Sequence, residues 1–231
     1  MKNALITGAS SGIGLAIKNM LLEEGYNVYG IGRHFKETEQ ETSQFHPIVC
    51  DLLHTNELVS IIETLRKKIP FDLLINNAGA GYFSLHEELN AKKIHEMVTT
   101  NLEVPMILSQ LLLRDLKKNK GTIINISSIT AKKSNTHGCA YGATKAGLSS
   151  FARSLFDEVR KYGVKVVTIH PDMTQSNFYR NANFKEGEKM ESYLLPKEIS
   201  DACRMILNAR DGLVVTDLTL QPQIHQLTKL K

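Results

Sequence analysis

The chain has 231 residues, enough for one sizeable hydrophobic core and too few for two comfortable domains. Hydrophobic residues make up 42% and charged residues 23%, as in ordinary soluble globular proteins. The net charge is +4, and the Lys and Arg residues are scattered along the chain, which argues against nucleic-acid binding. The spacing of Cys50, Cys139 and Cys203 indicates neither a disulfide framework nor a metal site. No signal peptide and no apolar run of membrane-spanning length is recognisable, so we expect a cytoplasmic protein without a membrane partner.

Short apolar runs alternate with longer segments of helical periodicity along the whole sequence. The runs predict strands at 3–7, 27–32, 46–51, 71–77, 122–127, 164–170 and 213–220. The periodic segments predict helices at 13–25, 56–69, 91–98, 102–118, 141–162 and 196–209. Strands that alternate with crossover helices form a mostly parallel sheet that is covered on both faces. We therefore predict a single doubly wound α/β domain over residues 1–231, with a seven-stranded sheet.

The turn between the first strand and the first helix is rich in glycine and serine, with the sequence TGASSGIG at 7–14. Gly8 permits a tight turn, Gly12 lets the backbone approach a phosphate, and Gly14 allows the helix to pack closely on the strand. A turn of this kind at a helix start predicts a pyrophosphate site. The alternative is a glycine-rich turn that binds nothing.

A second cluster of polar residues begins where the strand at 122–127 ends. Ser128 follows that strand, and Tyr141 and Lys145 lie four residues apart on one face of the next predicted helix. An ammonium about 4 Å from a phenol, at an effective dielectric of about 20, contributes roughly 4 kcal/mol, enough to lower the pKa of the phenol by ~3 units. The three side chains are candidates for one site, provided that a cofactor lies beside them. Taken singly, each could be a helix-face or capping residue.

These motifs together resemble the short-chain dehydrogenase/reductase family. The resemblance rests on the glycine spacing at 8–14, Asp51 after the third strand, residues 76–79 after the fourth, Asn101 in a later helix, and a Ser128–Tyr141 spacing of thirteen residues. It covers about residues 1–180 and implies a Rossmann domain that forms a homodimer or homotetramer. It also implies an oxidoreductase that interconverts a small carbonyl compound and its alcohol by hydride transfer.

The resemblance assigns roles to the polar residues. Tyr141 would be the general acid/base, Ser128 would orient the substrate oxygen, and Lys145 would hold the nicotinamide ribose. Asn101 would anchor a water molecule of a proton relay. The residues predicted to bind the cofactor are Gly8, Ser10, Ser11, Gly12, Ile13, Gly14, Arg33, Asp51, Leu52, Asn77, Ala78, Gly79, Asn101, Tyr141, Lys145, Pro171, Thr174 and Ser176.

The end of the second strand favours NADP(H) over NAD(H). NAD-binding folds place a carboxylate there for the ribose 2′-hydroxyl, whereas this chain has Gly32 followed by Arg33. Arg33 offers a planar fork for a 2′-phosphate, although a solvated basic turn would have the same sequence. NAD(H) remains possible. Asp51 is expected to meet the adenine amino group, or else to serve as a turn residue.

The sequence departs from the family pattern after the sixth strand. The usual glycine after Pro171 is Asp172, a residue that tolerates left-handed backbone. Its carboxylate is expected to cap the following segment, with selection of a cationic substrate as the alternative. Residues 175–196 occupy the place of the family's mobile substrate lid.

Two other functions compete with this interpretation. A non-catalytic NADP-sensing protein of the same fold would not need the Ser128, Tyr141 and Lys145 set. An extended-type epimerase or dehydratase would be longer and space its glycines differently.

Overall fold

A computed structural model describes residues 1–36 and 41–229 and contains one large and one small sheet. The strands are β1 (Asn3–Thr7), β2 (Asn27–Gly32), β3 (Phe45–Val49), β4 (Leu73–Asn76), β5 (Thr122–Ile126), β6 (Lys165–Pro171), β7 (Phe184–Glu186), β8 (Asp217–Leu220) and β9 (Leu227–Lys229). Seven of them form a parallel sheet in the order β3-β2-β1-β4-β5-β6-β8, and β7 pairs antiparallel with β9. The predicted doubly wound seven-stranded sheet is confirmed.

Helices cover both faces of the large sheet. They are α1 (Gly12–Glu23), α2 (Thr55–Arg66), α3 (Ala91–Val98), α4 (Val104–Asn119), α5 (Cys139–Val159) and α6 (Pro196–Leu207). One core joins α2, α4 and α5 to the face that carries Leu5, and a second joins α1 and α6 to the face that carries Ile6. Adjacent strand residues point to opposite faces, so a fully buried strand such as β1 contributes to both cores.

The strand order reverses at β1, which has β2 on one side and β4 on the other. The connections that leave β1 and β4 therefore diverge, and a cleft opens at the carboxyl ends of these strands, where ligands of such sheets bind. No helix within residues 1–36 and 41–229 combines the length and the apolar character needed to cross a bilayer.

The structure differs from the predicted elements in three places. The last strand of the large sheet is only Asp217–Leu220, because 213–216 is irregular. The β7–β9 pair was not predicted, since strands of three residues are too short to show alternation. Between α3 and α4 the chain forms a π-helical turn, Thr99–Glu103, in place of a plain helix start.

Candidate active site

The glycine loop lies at the cleft between β1 and α1. Gly8 and Gly12 have φ values of 70° and 53°, in the region that side chains other than glycine rarely adopt. A Cβ on Gly14 would lie 2.0 Å from the carbonyl oxygen of Gly8, so the first turn of α1 can pack against the loop only with glycine there. The positive φ values and the open helix start form a cradle that fits an anionic pyrophosphate.

Amide side chains hold the neighbouring strand ends together. The side chain of Asn77 donates to the carbonyl oxygen of Thr7 at 2.9 Å, and the Thr7 hydroxyl accepts from the backbone N–H groups of Asn77 and Ala78, each at 3.0 Å. Deeper in the sheet, Asn76 donates to Asn125 at 2.9 Å. The floor of the cleft is thereby fixed to the glycine loop.

Most of the predicted cofactor residues line one cavity in this cleft. They are Gly8, Ser10, Ser11, Gly12, Ile13, Gly14, Arg33, Asp51, Leu52, Asn77, Ala78, Gly79, Tyr141, Lys145, Pro171, Thr174 and Ser176, and Ser128 joins them. One carboxylate oxygen of Asp51 accepts from the backbone N–H of Leu53 at 3.1 Å, so this residue lines the cavity and also stabilises its own turn. The charge and donor set of the cavity fit a phosphorylated dinucleotide.

Ser128, Tyr141 and Lys145 meet at one end of the cavity. The hydroxyl of Ser128 lies beside the phenol of Tyr141, and Thr130 donates to the Ser128 hydroxyl oxygen through its backbone N–H at 3.2 Å and its hydroxyl at 3.0 Å. All three of the predicted residues are buried. A hydroxyl, a phenol and an ammonium thus share one dry site, as the four-residue spacing on α5 predicts.

The pKa values of this site depart from the simple electrostatic expectation. Burial raises the pKa of Tyr141, and the neighbouring Ser128 hydroxyl only partly offsets that rise. Burial lowers the pKa of Lys145 to about 8, and its ammonium lies 5.9 Å from the Tyr141 ring centre and donates to the Ile126 carbonyl oxygen at 2.8 Å. The expected lowering of the phenol pKa by Lys145 is therefore wrong for this conformation, because desolvation outweighs the distant charge.

Asn101 does not line the cavity. It lies in the π-helical turn with no exposed surface, and its side-chain oxygen accepts from the Ala80 N–H at 2.8 Å. Its side-chain nitrogen donates to the Ala80 carbonyl oxygen at 2.8 Å and to Thr144 at 3.0 Å. The side chain clamps the loop after β4, and the cofactor contact and proton relay stay predictions.

Asp172 acts as a local cap. One carboxylate oxygen accepts from the Met173 N–H at 2.8 Å, and the other faces Lys133 at 3.4 Å and Gln221 at 3.2 Å. The φ of Asp172 is not positive. Within residues 1–36 and 41–229, Lys120 is the only non-glycine residue with a positive φ. The tolerance of aspartate for left-handed backbone is therefore not used, and the favoured capping interpretation agrees with these contacts.

Aromatic side chains from residues 178–184 cover Tyr141. The Tyr141 ring centre lies 5.3 Å from that of Phe83 and 5.6 Å from that of Phe178, and Tyr179 and Phe184 pack behind Phe83. A Cβ on Gly79 would lie 3.4 Å from the Phe178 ring. Tyr179 and Phe184 lie within the predicted lid at 175–196, but the sequence does not single them out. Their only signal was the aromatic composition of the segment after β6.

Comparisons with known proteins agree with the geometry. A family model described as short chain dehydrogenase matches residues 2–187. The sorbitol-6-phosphate 2-dehydrogenase of Klebsiella pneumoniae is 31% identical over 194 residues, 79% of this chain and 73% of that protein. Carbonyl reductase family member 4 of Danio rerio is 32% identical over 183 residues, 74% of this chain and 77% of that protein. An alcohol dehydrogenase from the archaeon Thermococcus sibiricus, solved with 5-hydroxy-NADP, has a TM-score of 0.87 and 26% identity over 98% of both chains.

Proposed function

The chain belongs to the short-chain dehydrogenase/reductase family, and on that premise we propose that it is an NADPH-dependent reductase of a small carbonyl compound, with Tyr141 as general acid. The single observation that carries the proposal is that Ser128, Tyr141 and Lys145 are buried together and line the same cavity as the glycine loop. A protein that only sensed the cofactor would not need a buried phenol at this position.

The residues would divide the work as follows. NADPH, when bound, supplies the hydride. Ser128 donates a hydrogen bond to the substrate oxygen and stabilises charge that develops there. Tyr141 gives that oxygen its proton, and the raised pKa keeps the phenol protonated at neutral pH. Lys145 supplies positive charge beside the transferred proton and holds the nicotinamide ribose.

The preference for NADPH is supported by Arg33, which lines the cavity at the end of β2, where Gly32 leaves no carboxylate. A metagenomic short-chain oxidoreductase of 26% identity was solved with NADP. NADH is the second candidate. We also propose that the protein is cytoplasmic, that it forms a homodimer or homotetramer, and that residues 175–196 act as a substrate lid on a single domain.

The test is the consumption of NADPH, followed at 340 nm, with a panel of ketones, aldehydes and 3-ketoacyl thioesters. We expect turnover with at least one class, and a Tyr141→Phe protein that binds NADPH normally but turns over at least ~10²-fold more slowly, the scale of a lost general acid. Unchanged turnover in that variant would exclude Tyr141 as the acid. Tight NADPH binding without turnover of any compound would favour the sensing protein.

A further inference from the structure

His170 lies directly behind Ser128, outside the cavity described above. It is at the carboxyl end of β6, has no exposed surface, and pairs in register with Thr219 of β8. Because side chains alternate along a strand, Asp217, two residues before Thr219, lies on the same side of the sheet as His170. The His170 Nε2 atom is 2.9 Å from the Asp217 carboxylate, and Nδ1 is 3.2 Å from the carbonyl oxygen of Ser128.

The bridge from Asp217 to Ser128 continues to the surface. Asp217 is 41% exposed and also accepts from Lys132, whose ammonium donates to the Thr219 hydroxyl at 2.8 Å. Lys132 belongs to the same turn as Ser128, since its backbone N–H donates to the carbonyl oxygen of Ile129 at 2.9 Å. The turn 128–132 is therefore attached to β6 and β8 at two points, the Ser128 carbonyl group and the Lys132 side chain.

The two contacts of His170 together require two protons on the ring. A carbonyl oxygen and an ionised carboxylate can only accept, so the imidazolium makes both bonds and each neutral tautomer makes only one. Burial has the largest effect on the pKa of His170 and lowers it, and the Lys132 ammonium lowers it further. The bonds to Ser128 and Asp217 and the Asp217 charge raise the pKa, but the net value lies below the usual range of histidine. Partial burial raises the pKa of Asp217, but the bond from Lys132 and the charge of His170 hold it below its usual range.

We propose that His170 is a positioning residue that fixes the peptide of Ser128, and with it the Ser128 hydroxyl, for the reaction proposed above. The inference rests on that proposed function, because Ser128 matters only if a substrate oxygen receives its hydrogen bond. Ser128 has extended backbone (φ −163°, ψ 158°) at the start of a short 3₁₀ turn, so a rotation of its peptide would swing the hydroxyl away from Tyr141. Misplacement of a catalytic group by about 1 Å can reduce turnover strongly.

The first experiment compares His170→Asn with His170→Gln. An asparagine amide nitrogen falls near the position of Nδ1 and keeps a donor for Ser128, whereas a glutamine amide falls near Nε2 and keeps only the Asp217 contact. At a pH below the pKa of His170, where the ring makes both contacts, we expect kcat for carbonyl reduction to fall about tenfold in His170→Gln and less than about threefold in His170→Asn, the scale of one hydrogen bond. The KM for NADPH should not change, because His170 does not line the cavity. Equal losses of kcat in the two variants would overturn the proposal.

The pH profile adds a readout that a purely structural role would not move. In the wild type, kcat should fall as the pH rises through the pKa of His170, because the remaining proton stays on Nε2 beside the Asp217 carboxylate and the contact with Ser128 is lost. Neither variant should show this limb, and its persistence in His170→Asn would contradict the proposal. Asp217→Asn, a change at a half-exposed position, should move this fall of kcat to lower pH. If a thermal unfolding control shows that His170→Gln does not fold, Asp217→Asn is used in its place.

A Ser128→Ala background separates action through Ser128 from general damage. There, His170→Gln should cause no further loss of kcat, and a second tenfold loss would show that His170 acts elsewhere. Absence of turnover in the wild type would refute the proposed function, while the bridge from His170 to Ser128 could still be tested directly. The deciding measurement is then the ¹³C resonance of the Ser128 carbonyl group. It should titrate with the His170 ring in the wild type and not in His170→Asn, and a resonance that does not move with pH would overturn the bridge.

Discussion

One wall of the cleft, formed by residues 7–14 and 76–79, is built from backbone, whereas the opposite wall, formed by residues 171–195, is built from side chains. The first wall depends on positive φ angles and on close packing at Gly14, where a Cβ would lie 2.0 Å from the Gly8 carbonyl oxygen. The second depends on aromatic rings whose centres lie 5.3 to 6.3 Å apart and on short 3₁₀ segments.

The contrast suggests a division of labour between the walls. Backbone groups can present the same geometry to a dinucleotide in many proteins, so the first wall suits the constant part of the reaction. Side chains of the second wall can be exchanged without disturbing the sheet, and they cover Tyr141, where the carbonyl compound would lie. Specificity should therefore reside in residues 171–195 and in Phe83, which packs against them.

The largest effect is expected from a methyl group in the backbone wall. In Gly14→Ala the new Cβ would overlap the Gly8 carbonyl oxygen, which is backbone and cannot turn aside. Overpacking costs about 1–3 kcal/mol, and a clash with backbone should reach the upper end, so the Kd for NADPH should rise about 100-fold. Isothermal titration calorimetry measures this change.

Gly147→Ala is the matched control, because Gly147 also lies inside a helix. Its Cβ would lie 3.2 Å from the flexible end of Leu102, which can move. NADPH affinity in this variant should stay within about threefold of the wild type. A similar loss of NADPH affinity in both variants would mean that cofactor binding is sensitive to any glycine replaced inside a helix. The backbone wall would then not be the part of the cleft that determines NADPH affinity.

How much the sequence predicts follows the same division. The parallel sheet and the loop with Gly8 and Gly14 were predictable, because backbone constraints act between residues that are close in the chain. The pairing of Phe184 with Lys229 was not, since strands of three residues that are far apart in sequence carry no local signal. The raised pKa of Tyr141 was not predicted either, because it depends on which distant parts of the chain pack over the phenol.

An intermediate effect is expected at Arg33, where a side chain sits at the edge of the backbone wall. Hydrogen bonds to a charged group contribute about 1.5–3 kcal/mol, so Arg33→Ala should raise the Kd for NADPH roughly 10- to 100-fold and leave the Kd for NADH unchanged. Arg153→Ala removes the same charge from an exposed position on α5, outside the cavity, and should change neither constant. Equal weakening for both cofactors would show that Arg33 does not recognise the 2′-phosphate.

The smallest effect is expected in the side-chain wall and should have the opposite sign. The Phe178 ring lies against Gly79 and Gly81, which line the cavity with it, so we expect the bound cofactor to displace the ring. Phe178 is only partly buried, and moving its ring into water should cost about 1 kcal/mol. In Phe178→Ala, NADPH should therefore bind about three- to tenfold more tightly.

Phe184→Ala gives the comparison within the same aromatic cluster. Phe184 packs on Phe83 and Tyr179 without lying against Gly79, so its removal should change the Kd for NADPH by less than about twofold. Weaker binding in Phe178→Ala than in Phe184→Ala would mean that Phe178 contacts the bound cofactor rather than covering its site. The side-chain wall would then contribute to cofactor affinity as well as to specificity, and the division between the two walls would fail at this residue.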